Sequence, residues 1–202
     1  MALTAADLKA AAARVAAVAE AAGNELNAAD GRLGDGDLGI TVAKGWREVA
    51  NAIADEPDDI GQVFLVSAKA FQRVSSSSYG TLTATALMSA AKPTKGRADI
   101  AWSEVPSLIA GARDAMIARG KGALGDKTVL DAIDAVASAI AGLDDPQTML
   151  SAASRAADEA LRSFRDRPNR LGRARMFGDK SIGLDDPGML AFRRVLSGLV
   201  MP

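Results

Sequence analysis

Apolar residues recur at helical spacing along almost the whole chain, and no stretch alternates convincingly as a strand does. Ile60, Val63, Phe64, Ser67, Phe71 and Val74 mark one helix face; Val105, Leu108, Ile109, Ala112 and Met116 mark another, and Val129, Ile133, Val136 and Ile140 a third. A helix with one apolar stripe is stable only when that stripe is covered. Without strands to build a sheet, the cover must come from other helices, so an all-α bundle is expected. Eight helical segments are predicted, at about 4–30, 38–54, 59–74, 78–91, 103–119, 126–141, 146–165 and 187–200. Thr4 with Asp7 has the pattern of a capping box at the first of them, and Gly23 marks a break within it. Connections are short except for KPTKGRADI around Pro93 and a segment of about 20 residues from Asp166 to Asp186, a length that in a compact domain usually serves function.

The 202 residues suit one domain spanning 1–202, and a hydrophobic share of 49% beside 24% charged residues suits a globular one. No apolar run approaches the roughly 20 residues of a membrane span. The start MALTAADLKA lacks the basic flank and apolar block of a signal peptide, so the expected location is cytoplasmic, with no membrane partner. A net charge of −1 argues against nucleic acid as a partner, although Arg155 to Arg175 is locally basic. Cysteine and histidine are both absent. That excludes disulfides, the usual zinc sites, cysteine nucleophiles and Ser-His-Asp triads, and leaves oxygen as the donor to any metal.

Two glycine-rich stretches are misleading. GKGALG, from Gly120 to Gly125, matches a dinucleotide fingerprint but follows a helix where a strand is needed, and GKGALGDKT fails as a phosphate loop because Asp126 stands between Gly125 and Lys127. DGRLGDGDLG, from Asp30 to Gly39, admits two readings. In one, it is a helix-to-helix turn with Asp37 as the cap and glycines at positive φ. In the other, Asp30, Asp35 and Asp37 gather around Mg2+, which tolerates few carboxylates together with phosphate oxygens and water, and which relieves the repulsion of acids so close together. A calcium hand does not fit, since Trp46 stands where the bidentate glutamate belongs. SSSSYGT, from Ser75 to Thr81, is either a polar linker ending in an N-cap or a phosphate site at a helix N-terminus. The stretch RSFRDRPNRLGRARMFGDKSIGLDDPG is either a solvated loop, with ion pairs to Asp158, Glu159 and Asp166, or a lid ending where Asp186 precedes the helix-starting Pro187.

Taken in order, NELNAADGRLGDGDLG, the serine-rich YGT loop, RGKGALGDKT and GRARMFGDKSIGLDDPG resemble the ADP-binding L subunit, or L domain, of dihydroxyacetone kinases over nearly the whole chain. The resemblance implies an eight-helix antiparallel bundle closed as a barrel, with a nucleotide site formed by interhelical loops at one end. It implies that Asp30, Asp35 and Asp37 bind a pair of Mg2+ ions that hold the phosphates of ADP or ATP, and that with Arg173 they form the catalytic set. Leu38, Gly39, Ile40 and Thr41 would then contact the nucleotide, Ser76, Ser77 and Ser78 its phosphates, Gly120 and Val129 the adenine, Arg173 the phosphates again, and Asp186, Pro187 and Gly188 the nucleoside. The implied reaction is phosphoryl transfer to dihydroxyacetone or a short ketose such as erythrulose. In that family the ketose is bonded to a histidine of a separate K subunit; this chain has none and would be a half-enzyme. The resemblance also admits an M subunit of a phosphotransferase system, a homodimer, and a nucleotide-loaded regulatory module that docks a transcription factor. Three departures stand out: Leu38 and Leu184 occupy positions where the family has histidine, and its Gly-Ser turn is shortened to SSSS.

Overall fold

The computed structural model describes residues 2–199. Its helices are α1 (Ala5–Ala21), α2 (Gly23–Leu33), α3 (Leu38–Ile53), α4 (Ile60–Val74), α5 (Ser78–Ala91), α6 (Val105–Gly120), α7 (Val129–Ala139), α8 (Pro146–Phe164) and α9 (Pro187–Ser197). The fold is all-α, as predicted. The first predicted segment is divided at Gly23, though the joint is slight, since Ala22 donates back to the Val18 carbonyl and accepts from Leu26 N–H.

Most start signals act locally. Thr4 and Asp7 form the capping box of α1, Asp59 accepts from Gln62 N–H at the start of α4, and Thr128 with Asp131 closes a second box on α7. α7 begins at Val129, later than expected, because Gly125 (φ 97) and Lys127 (φ 59) take left-handed conformations that no helix continues through. α9 ends at Ser197, and Val200 of the predicted segment lies outside the described residues.

Successive helices from α3 to α9 pack on one another, and α9 returns to α1 and α2, which closes the ring. Phe71 of α4 lies fully buried inside it, with the Trp46 ring edge-on at 5.8 Å. Gly45 makes that possible, since a Cβ there would come within 2.4 Å of the Phe71 ring. Two strands absent from the expectation, β1 (Ala2–Thr4) and β2 (Asp99–Ala101), pair antiparallel with Leu3 opposite Ile100. At three residues each, they are too short to show an alternating pattern.

Alternation around the ring brings the N-termini of α3, α5, α7 and α9 to one end. Tyr79, on the first turn of α5, packs with both the cluster of Leu38 and that of Val129. A Cβ placed on Gly188 would lie 3.6 Å from Val129 Cβ and 3.8 Å from Tyr79 Cδ2. Four converging helix N-termini make this end attractive to an anion.

Candidate functional site

At this end the chain leaves α2, turns through Gly34 to Gly36 and enters α3. Asp30, near the end of α2, closes the turn by accepting from Gly36 N–H (2.8 Å) and Asp37 N–H (3.1 Å). Gly36 adopts φ 79, and a Cβ on Gly34 would come within 2.5 Å of Asp30 Oδ1, so neither position accepts a side chain without disturbance. One carboxylate oxygen from each of Asp30, Asp35 and Asp37 lies within 4.8 Å of the others.

Asp37 occupies the N-cap position of α3, yet its carboxylate makes no capping bond. Asn27 of α2 does that work instead, with Oδ1 accepting from Gly39 N–H (2.8 Å) and Ile40 N–H (3.3 Å). The side-chain cap that one of the two readings gave to Asp37 is therefore not made, and its carboxylate is left to face the other two acids. Gly39 permits the arrangement, since a Cβ there would lie 2.0 Å from the Gly23 carbonyl oxygen. Asn27 gave no local signal because it caps from another helix. Asn27→Ala is expected to cost about 1 kcal/mol of stability, as N-cap removal does, read as a lower midpoint in urea with an unchanged slope.

Three exposed or half-buried carboxylates are hard oxygen donors of the kind Mg2+ takes, with no sulfur or imidazole to favour another metal. Arg173 pairs with Asp35 and is the cation that the structure sets against this cluster.

On α5, Ser77 is the cap and accepts from Gly80 N–H at 3.1 Å. Ser75 is buried beneath it, 3.1 Å from Ser77 Oγ, in space that a side chain on Gly80 would fill. Ser76 and Ser78 are exposed, so the loop serves as a cap and also leaves hydroxyls free at a helix N-terminus.

Gly120 closes on Leu82 of α5, which shares a cluster with Val129 and Tyr79. Burial pushes the Tyr79 phenol up, so it stays protonated. Leu38 is buried among Ala19, Leu26, Val42 and Ala191, while Ile40 in the same first turn is exposed and Thr41 half-buried.

The segment 166–186 is partly ordered as a 3-10 helix, Arg173–Ser181, kinked at Gly178. Its base is fastened by a buried polar network that sequence reasoning missed. Lys127 Nζ donates to the carbonyls of Arg165 (3.2 Å), Arg167 (2.9 Å) and Ser181 (2.8 Å), and Asn169 Nδ2 donates to the Lys127 carbonyl and to Asp186 Oδ2. Lys127 is thus no phosphate ligand, in keeping with the rejected phosphate loop, and its burial lowers the ammonium pKa. Arg165 pairs with Asp185 and Arg162 with Glu159, whereas Asp158 pairs with Arg193 of α9 and Asp166 with no cation among the described residues.

Asp186 caps α9 by accepting from Met189 N–H at 2.8 Å. Burial is the chief cause that pushes its carboxyl up to about 6. A folded-state pKa above the unfolded one means that this group's stabilising contribution is full below the unfolded pKa, near 4, and is lost as pH rises through about 6. Asp186→Asn keeps a capping oxygen, so relative to this variant the native protein should lose on the order of 2–3 kcal/mol between pH 4 and pH 7. Paired denaturation curves across that range check it, and parallel pH profiles would refute it.

A family model described as the DAK2 domain matches residues 32–201. The L-erythrulose 1-kinase of Mycolicibacterium smegmatis is 33% identical over 87% of this chain, which spans 32% of that protein. The ADP-binding subunit DhaL of the PEP-dependent dihydroxyacetone kinase of Escherichia coli is 31% identical over 81% of this chain and 80% of that one. Among solved structures, the dihydroxyacetone kinase of C. freundii in complex with AMP-PNP and Mg2+ superposes with a TM-score of 0.76 at 23% identity, covering 98% of this chain and 34% of that one. The chain therefore spans about a third of the longer relatives and most of the shorter one.

Proposed function

The chain belongs to the DAK2-domain family, and on that premise we propose that it is the Mg-nucleotide-binding half of a kinase acting on a short ketose held by a separate subunit. The observation that carries this is the acidic loop: three carboxylates in mutual reach, one released from capping by Asn27, at the end where four helix N-termini converge. Its oxygen donors suit two Mg2+ ions. A relative is named for ADP binding, and a solved neighbour is described with AMP-PNP and Mg2+.

In this proposal Asp30, Asp35 and Asp37 supply the metal-binding oxygens. The first turn of α3, from Leu38 to Thr41, and Ser76 to Ser78 at α5 offer N–H and O–H donors to phosphate, Ser77 through its backbone because its hydroxyl is already a cap. Gly120 and Val129 would meet the adenine, and Asp186 to Gly188 the nucleoside. Arg173 supplies a positive charge beside the acidic loop. Bound Mg2+ neutralises charge on the phosphoryl group in transfer. A terminal ketose hydroxyl would bond through its oxygen to the γ-phosphorus as the bond to the β-phosphate bridging oxygen breaks, and would release its proton, giving the phosphorylated ketose, ADP and H+. The sequence contains no histidine, so a ketose held through histidine, as the resemblance implies, would in this proposal be presented by a partner. Dihydroxyacetone and erythrulose are the acceptors to try, in a cytoplasmic setting; an M-type phosphoryl donor and a homodimer are compatible additions.

The test combines purified chain, a ketose-binding subunit and ATP labelled at the γ-phosphate. Label should pass to the ketose only when both proteins and Mg2+ are present. Tight nucleotide binding with no transfer to any short ketose would favour the regulatory module instead.

A further inference from the structure

We propose that Arg173 is a tethered counter-ion that a divalent metal displaces from Asp35 and that the nucleotide phosphates then receive. The inference rests on the metal-nucleotide reading above and adds a competition that reading does not contain.

Two facts make Arg173 and a metal rivals. Its guanidinium pairs with Asp35, and Asp35 offers one of the three converging carboxylates. The guanidinium and a divalent ion compete for the charge of one carboxylate, so metal entry loosens the pair. Release needs only the Arg173 side chain to move, since it is exposed. Lys127 and Asn169 fix its base through buried hydrogen bonds, while Arg173, Arg175 and Met176 at its tip are exposed. Gly172 (φ 67) and Gly178 (φ 51, ψ −128) flank that tip, in conformations that glycine adopts without strain. Arg173 can therefore swing away from Asp35 without undoing the anchor.

Pairing with Asp35 has a use before metal arrives: it offsets repulsion among three acids. Once metal and nucleotide are present, the released guanidinium faces a phosphate cluster to which it can donate two hydrogen bonds. Removing it should then act with opposite signs on the two ligands.

The experiment uses the nucleotide-stripped full chain and Mn2+ as the probe, with free Mn2+ counted by electron paramagnetic resonance. Arg173→Gln should bind Mn2+ alone roughly two- to fivefold more tightly, the range an exposed ion pair allows, and the gain should shrink at high salt. The same variant should bind ADP in the presence of Mn2+ roughly tenfold more weakly, as loss of a charged donor implies. Arg173→Lys keeps the charge and should stay near the native Mn2+ affinity. Arg175→Gln removes an equal charge from the same segment, at a residue with no ion pair among the described residues, and should change little. Unchanged or weaker Mn2+ binding by Arg173→Gln, or an equal gain from Arg175→Gln, overturns the inference and leaves the metal site standing. If the native chain binds no Mn2+ at all, the proposed function falls and the counter-ion role with it.

Discussion

Asp37→Asn is expected to lower the affinity for ADP in the presence of Mg2+ on the order of a hundredfold, about 2.7 kcal/mol, while leaving the fold intact. The two effects separate because of the cap. In most helices an aspartate at this position would accept from the first-turn N–H groups, and its loss would cost stability. Here Asn27 holds those groups, and the Asp37 carboxylate makes no capping bond. Asparagine keeps the shape of the side chain and removes the charge a metal needs. It also removes one of three acids that repel each other, so the metal-free protein should unfold within about 0.5 kcal/mol of the native one. Asp30→Asn would confound these outcomes, since Asp30 also closes the turn onto Gly36 and Asp37. Calorimetry with ADP and Mg2+ beside a urea melt distinguishes them; an affinity within threefold of native would deny Asp37 a metal role.

Lys127→Met should destabilise the protein by about 3 kcal/mol or more, because it leaves buried carbonyls of Arg165, Arg167 and Ser181 without their donor. At two to four degrees per kcal/mol for a chain of this size, the melting temperature should fall by roughly 10 °C. Methionine fills most of the space of the lysine stem, so the loss reports the ammonium rather than a cavity. Nucleotide affinity should fall as well, since the segment that carries Arg173 loses the anchor at both of its ends. A melting temperature within two degrees of native would mean that water replaces the ammonium and that the network is not what fastens the segment.

The periodic stripes made the bundle legible, and two start signals marked helix ends: Thr4 with Asp7, and Asp186 before Pro187, each make a capping bond within three residues of where they stand. What escaped was non-local. Asn27 caps a helix twelve residues away, Lys127 reaches across about forty residues, and the paired strands join positions nearly a hundred apart in the chain. No spacing rule finds such partners. The acidic loop stands between these cases. Its three aspartates were visible at once, but the sequence left open whether Asp37 capped the helix, and that answer lay in the Asn27 side chain on the facing helix, which takes the capping bonds instead.

The most direct measurement is calorimetric titration of the nucleotide-stripped chain with ADP, once with Mg2+ in excess and once with EDTA. If the three aspartates hold the ions that hold the phosphates, tight binding appears with Mg2+ and is nearly abolished by chelation. Equal affinity in the two titrations, or no binding in either, would contradict the account.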